Sequence, residues 1–253
     1  MTVELRAFTT GYVTIPTYFM LAGRDGTTKV PVTSYLITHP GGRVLFDSGL
    51  HPATQHDPAA HVGELLASFH EFDFHAGEDI GARLESVDTD PASITHVINS
   101  HLHFDHCGGN AQLANATIVC QRDEWDAAQR SGPRRGYVID DFDTGQPFEL
   151  IDGEHDLFGD GNVVVFPTRG HTPGHQSLRV RTDTGGEFVL CGDACYLKHS
   201  VDHLALPGVI ADPDSALASL KLFRALRDQG ATLMYGHDPG AWTTVPQAPV
   251  RLG

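Results

Sequence analysis

Between positions 101 and 106 the chain reads His101-Leu102-His103-Phe104-Asp105-His106, which puts four side chains with lone pairs for a cation into six positions. They follow an apolar run, Thr95 to Asn99, with the composition of a buried strand. Residues two apart in an extended segment point to one side, so His101 and His103 can converge on one ion. Asp105 and His106 come where the chain can turn, and Gly108-Gly109 allows a tight bend behind them, which suits a second, neighbouring ion. A solvated polar loop explains this density poorly.

One loop does not close a metal site, and three more segments end in the same way. His171 follows Phe166-Pro167-Thr168-Arg169-Gly170, Asp193 follows Val189-Leu190-Cys191-Gly192, and His237 follows Leu233-Met234-Tyr235-Gly236. In each, an apolar strand and a glycine bring a ligand-type side chain to a sheet edge. The set permits His101, His103 and His171 on one cation and Asp105, His106 and His237 on another, with Asp193 bridging. Three ligands and a bridge leave each cation room for a shared water or hydroxide, the open position that hydrolysis requires. Mixed imidazole and carboxylate ligation suits two zinc ions and is compatible with manganese, iron or cobalt.

The elements that must position these residues are short β-rich runs with helical patterns between them, the alternation of layered sheets with helices outside. Strands are expected near Val3 to Phe8, Val32 to Thr38, Arg43 to Phe46, Thr95 to Asn99, Thr117 to Cys120, Val163 to Phe166, Gln176 to Val180, Phe188 to Cys191 and Thr232 to Tyr235. Gly41-Gly42 and Gly185-Gly186 read as hairpin turns. Helices are expected at His61 to His70, Asp123 to Gln129 and Ser215 to Asp228, the last capped by Asp214 and closed by Gly230. Ser131 to Gly161 reads as an irregular surface excursion. With 253 residues and no linker-like stretch, residues 1–253 are expected to form one domain.

Composition narrows the classes further. Apolar residues at 40% and charged residues at 19% are ordinary for a globular chain, whereas 16 histidines are many. A formal net charge of −15 repels polyanions, so nucleic acid is not an expected partner. No apolar run is long enough for a membrane span and Met1 to Thr10 has no export pattern, so no membrane partner and a cytoplasmic location are expected. The four cysteines are too few and too unevenly placed for a disulfide framework, and reduced, buried thiols are the expectation.

The order His101-x-His103-x-Asp105-His106, His171, Asp193, His237 resembles the metallo-β-lactamase superfamily. That resemblance implies an α/β fold, an αββα sandwich of two central mixed sheets with helices on the outer faces and the metals at one sheet edge. Four stretches look closer still to the N-acyl-homoserine lactonases that open bacterial quorum-sensing signals. These are His101 to His106, Gly170-His171-Thr172-Pro173-Gly174-His175-Gln176-Ser177-Leu178, Asp193-Ala194-Cys195-Tyr196 and Gly236-His237-Asp238. The resemblance implies a dinuclear hydrolase in which a metal-bridging hydroxide attacks the lactone carbonyl of a small-molecule substrate. Tyr196 stabilises the oxyanion in such a scheme, Asp105 carries the proton to the departing alkoxide as in similar lactonases, and Tyr196 and Phe104 contact substrate. Relatives with an appended helical domain, a nucleic-acid exosite or a fused flavin domain do not fit the length, spacing and charge. A compact lactonase or esterase remains, with another small lactone or ester, such as a pyridoxolactone-like compound, as the alternative and a non-catalytic binding protein as the contrasting class. Oligomeric state, monomer or homodimer, is left open.

Secondary candidates follow from position. Asp47, at a strand end, either orients a ligand imidazole or serves as a turn residue, and His175 is expected to hold the His171 loop and not to ligate. Cys107, Cys191 and Cys195 flank ligands but read as packing residues. His51, His56, His61, His70 and His75 fit no convergent spacing and read as solvated. His199 and His203 are weaker candidates for substrate contact, and Tyr18, Phe19 and Met20 with Phe104 are candidates for an apolar wall.

Overall fold

A computed structural model describes residues 2–184 and 186–253. Among the described residues, twelve strands run in the order β1 (Glu4–Pro16), β2 (Thr27–His39), β3 (Gly42–Phe46), β4 (Glu71–Asp73), β5 (His96–Ile98), β6 (Thr117–Gln121), β7 (Phe148–Ile151), β8 (His155–Asp156), β9 (Val163–Pro167), β10 (Gln176–Thr182), β11 (Gly186–Leu190) and β12 (Thr232–Met234). They form a seven-stranded sheet, β4-β1-β2-β3-β5-β6-β7, and a five-stranded sheet, β12-β11-β10-β9-β8. Both sheets are mixed: β3, β5, β6 and β7 run parallel, as do β11 and β12, while the remaining pairs are antiparallel.

The period-2 alternation of the strands decides the layering. Leu5 and Ala7, Tyr35 and Ile37, and Val44 and Phe46 point from the large sheet into one shared core; Val163 and Val165, Leu178 and Val180, and Phe188 and Leu190 meet them from the small sheet. The alternate positions Phe8, Leu36, Leu45, Val97 and Ile118 face outward and are covered by Ile80 and Leu84 of helix Ile80–Glu85. On the far side Phe166, Val189 and Leu233 lie under Leu220 and Phe223 of helix Pro213–Asp228. Each such burial contributes roughly 1.5–3 kcal/mol relative to exposure. The result is the αββα sandwich expected.

Local differences have local causes. The first hairpin is far longer than expected, because β1 continues past a register shift between Thr9 and Tyr12 and pairs down to Pro16 with Thr27; most of the stretch from Gly11 to Pro31 lies within it. The helix expected over His61 to His70 is split into Pro58–Val62 and Glu64–Ala67, since Gly63 takes φ +86°, which no helix residue adopts. Asp212, not Asp214, caps the last long helix: Pro213 occupies the first turn, where it has no N–H to lose, and the Asp212 carboxylate accepts from Asp214 N at 3.1 Å. Gly41-Gly42 lies at the β2–β3 turn, and β10 and β11 pair antiparallel through Thr182 and Gly186, while Gly185 lies outside the described residues. Ser131 to Gly161 is no plain surface loop: it carries β7 and β8, and Tyr137, Val138, Asp141 and Phe142 within it are buried.

Candidate active site

Four strands end at one rim of the sandwich. The loop after β5 carries His101 and His103 and enters the short helix Phe104–Cys107, which holds Asp105 and His106. The loops after β9, β11 and β12 deliver His171, Asp193 and His237. Backbones approach closely here: a Cβ on Gly236 would lie 2.6 Å from the Gly192 carbonyl oxygen, so the glycine before His237 is a spatial requirement.

All seven side chains converge. One donor atom each from His101, His103 and His171 lies within 4.8 Å of the others, and the same holds for Asp105, His106 and His237. His171 Nε2 stands 3.2 Å from His101 Nε2 and 3.1 Å from His103 Nδ1. The Asp193 carboxylate divides between the two groups. Its Oδ2 faces His171 Nε2 at 3.4 Å and His101 Nε2 at 3.9 Å, while its Oδ1 faces His106 Nε2 at 3.2 Å and His237 Nε2 at 3.1 Å. Asp105 Oδ2 lies 3.7 Å from both His106 Nε2 and His237 Nε2.

The far nitrogens of these rings are held by the protein. His237 Nδ1 donates to the Pro31 carbonyl at 2.7 Å, which fixes its lone pair on Nε2. His106 Nδ1 meets Asp47 Oδ2 at 2.8 Å, His101 Nδ1 meets Ser100 Oγ at 2.9 Å, and His171 Nδ1 meets Tyr196 OH at 3.1 Å. Asp47, at φ +59° after β3, also accepts from Ser100 N at 2.7 Å and Ser100 Oγ at 2.9 Å. It therefore does what one reading of the sequence proposed, orienting an imidazole from a strained turn. His175 ties two loops, with Nδ1 on Thr168 Oγ1 at 2.9 Å and Nε2 accepting from Ala194 N at 3.2 Å, and it belongs to none of the convergent groups.

Burial sets the protonation states. It pushes His101 and His171 well below the ordinary imidazole range and His103 down to about 4, so each offers a lone pair. Burial opposes a charge on His106 too, but the Asp193, Asp105 and Asp47 carboxylates raise its pKa well above the usual value, and at His237 the Asp193 and Asp105 carboxylates likewise outweigh burial and raise it. Asp193, although buried, is held well below the usual carboxylate range by His106 and His237. Buried His106 Nε2 and Asp193 Oδ1 nevertheless have no hydrogen-bond partner. Three imidazole nitrogens crowded at 3.1–3.2 Å, with two more at 3.1–3.2 Å from an unanswered carboxylate oxygen, are a donor set that fits divalent cations.

The cluster floors a cavity of about 660 Å³ whose walls include Ile15, Phe19, Leu66, Phe104, Tyr137 and Tyr196, with His103, Asp105 and His171 at its base. Tyr18 lines it too, whereas Met20 is packed into the core beside it. His199 and His203 do not line it; their rings contact each other at 4.3 Å. All four cysteines are free and buried. His70 reads differently from the sequence expectation: it lines the cavity, and its Nδ1 donates to the Leu66 carbonyl at 2.8 Å. His51 and His61 also depart from the solvated reading, since they meet Asp141.

A buried carboxylate that the sequence did not mark holds the site from behind. Glu124, fully buried in helix Arg122–Arg130, accepts from Leu102 N at 3.1 Å and Tyr137 OH at 3.1 Å through Oε1, and from Thr172 Oγ1 at 2.7 Å and Gly174 N at 3.1 Å through Oε2. It clamps the loop of His101 and His103 to the loop of His171. In the sequence it is an acidic residue in the first turn of a helix, a position usually solvated.

Comparison with known proteins agrees with this geometry. The model of the metallo-beta-lactamase superfamily matches residues 27–237. The N-acyl homoserine lactonase AttM of Azorhizobium caulinodans is 33% identical over 238 residues, covering 91% of this chain and 90% of the relative. The N-acyl homoserine lactonase AiiA of Bacillus thuringiensis subsp. kurstaki is 31% identical over 216 residues, covering 83% and 82%. A solved N-acyl homoserine lactone hydrolase, with the product N-hexanoyl-L-homoserine bound at the catalytic metal center, superposes with a TM-score of 0.89 at 27% identity over 99% of this chain and 100% of that one. Fold, site geometry and these matches together show that the chain belongs to the metallo-beta-lactamase superfamily.

Proposed function

We propose that this chain hydrolyses the lactone ring of N-acyl-homoserine lactones, releasing the open N-acyl-homoserine and a proton, with two divalent cations, zinc foremost, in the cluster described. The observation that carries the reading is the Asp193 carboxylate shared between two three-residue groups at the base of an apolar cavity. His101, His103 and His171 would hold one ion and Asp105, His106 and His237 the other, with the Asp193 carboxylate shared by both groups. Bound there, the ions lower the pKa of water toward neutrality and polarise the lactone carbonyl. Relatives named N-acyl homoserine lactonase at 31–33% identity and a hydrolase structure with an acyl-homoserine product support the substrate class.

The chain's own side chains then have distinct tasks. His171 Nδ1–H donates to the Tyr196 oxygen at 3.1 Å, which leaves the phenolic proton free to meet the carbonyl oxygen as negative charge develops on it. Burial holds the Tyr196 pKa well above its usual value, so it remains a donor. Asp105, at the cavity base, accepts the proton given up by the attacking water and passes it to the departing alkoxide. Phe104, buried against His70 at 5.1 Å and Phe72 at 5.9 Å, offers an apolar surface to the acyl chain. One domain spanning the chain and a cytoplasmic place of action belong to the same proposal; no helix among the described residues is long and apolar enough to cross a membrane.

The test is acid release in a pH-stat from homoserine lactones of several acyl lengths, alongside metal analysis of the same protein. About two metals per chain with acid release supports the proposal. Two metals without acid release from any of these lactones points to another small lactone or ester.

A further inference from the structure

Away from that cluster, three side chains that no sequence spacing links meet at one point. His51 precedes the turn Pro52–Gln55, His61 stands in helix Pro58–Val62, and Asp141 belongs to the short helix Ile139–Phe142. One donor atom from each lies within 4.8 Å of the other two. The imidazoles of His51 and His61 stack with centroids 4.0 Å apart and planes 16° apart, and His61 Nε2 lies 2.7 Å from Asp141 Oδ1. Asp141 is fully buried, and its Oδ2 has no hydrogen-bond partner. A buried carboxylate oxygen left unanswered is costly, and a stacked ring does nothing for it.

We propose that His51, His61 and Asp141 form a third divalent-cation site of the zinc type, separate from the seven-residue cluster and structural in role. Two imidazoles and one carboxylate are a borderline donor set that zinc takes readily, and the partly exposed imidazoles leave an outer side for water to complete four-coordination. Binding exchanges protons for the ion: the proton held between His61 Nε2 and Asp141 Oδ1 leaves to solvent, and the carboxylate gains a cation in its place. His51 Nδ1 accepts from Ala53 N at 3.1 Å, and ligation by this ring gives up that one contact.

The position supplies a role. Leu65 and Leu66, a few residues after His61, and Gly136 and Tyr137, a few residues before Asp141, belong to two separate segments of the cavity wall. His51 N lies 2.3 Å from where a Cβ on Gly108 would stand, beside the loop of Asp105 and His106. An ion here pins both walls to that loop.

The experiment strips the full chain of metal, adds three equivalents of Zn²⁺, desalts, counts bound zinc, and measures crystals of the same samples on both sides of the zinc absorption edge. The expected result is an anomalous peak among His51, His61 and Asp141, its loss in His61→Ala together with one zinc equivalent, and an unchanged count in the exposed control His56→Ala. Because Asp141→Asn burdens the core, His51→Ala is the second variant and loses the same equivalent. A wild-type map without a peak at these side chains overturns the proposal, as does a peak that persists at full height in both His61→Ala and His51→Ala. Missing peaks around Asp193 instead count against the catalytic proposal, at a different place in the same map.

Discussion

Tyr196 and Asp47 separate two kinds of dependence at the scale of single residues. The Tyr196 hydroxyl meets His171 Nδ1 and its ring stacks on that of His237, but Tyr196 belongs to none of the convergent donor groups, so Tyr196→Phe is expected to retain metal while turnover falls by about 10²- to 10³-fold, the usual loss for one oxyanion donor. Parallel metal analysis and initial rates check it, and an unchanged rate removes Tyr196 from the mechanism. Asp47 holds His106 from behind, so Asp47→Asn is expected to weaken metal affinity by about 10- to 100-fold, read by competition with a chelator. The seven-residue set was legible in the sequence because four members fall within six positions and the other three each follow a strand and a glycine. Glu124 was not, because its partners Leu102, Tyr137, Thr172 and Gly174 come from three separate segments and nothing in its local sequence marks it as buried. His61 and Asp141 were missed for the same reason: they lie 80 positions apart and share no pattern.

Among the elements, the segment from Ser131 to Phe142 matters most, for its backbone packs against the His103 ring. Gly136 takes φ +88°, and a Cβ there would sit 2.7 Å from His103 Cδ2. Gly136→Ala is therefore expected to displace the His103 ring as well as strain the turn, lowering both metal occupancy and activity; full occupancy with wild-type turnover contradicts this. Strand cores were readable from alternation, whereas the extent of the first hairpin was not, since its far half is held by pairing across the register shift at Thr9 and Tyr12 and not by a run of apolar residues. The split at Gly63 shows the converse, a single backbone angle overriding a helical pattern.

For the whole molecule, acid sensitivity follows from the buried imidazoles. His175 is pushed down to about 3 by burial, so between that value and about 6.5 the unfolded chain binds a proton that the native one does not. Stability then falls as pH is lowered through this window, by about 4 kcal/mol near pH 3 for this group alone. Urea unfolding of metal-stripped protein across that range measures the slope, which is expected to flatten in His175→Gln; an identical slope shows that other groups carry it.

The contact between His237 Nδ1 and the Pro31 carbonyl joins residues 206 positions apart. A nascent polypeptide therefore has the loop of His101 to His106 long before His237, and the cluster assembles late, when the two distant ends of the matched region find each other. A chain cut between His106 and His237 keeps the loop of His101 to His106 but lacks the imidazole that seats on the Pro31 carbonyl.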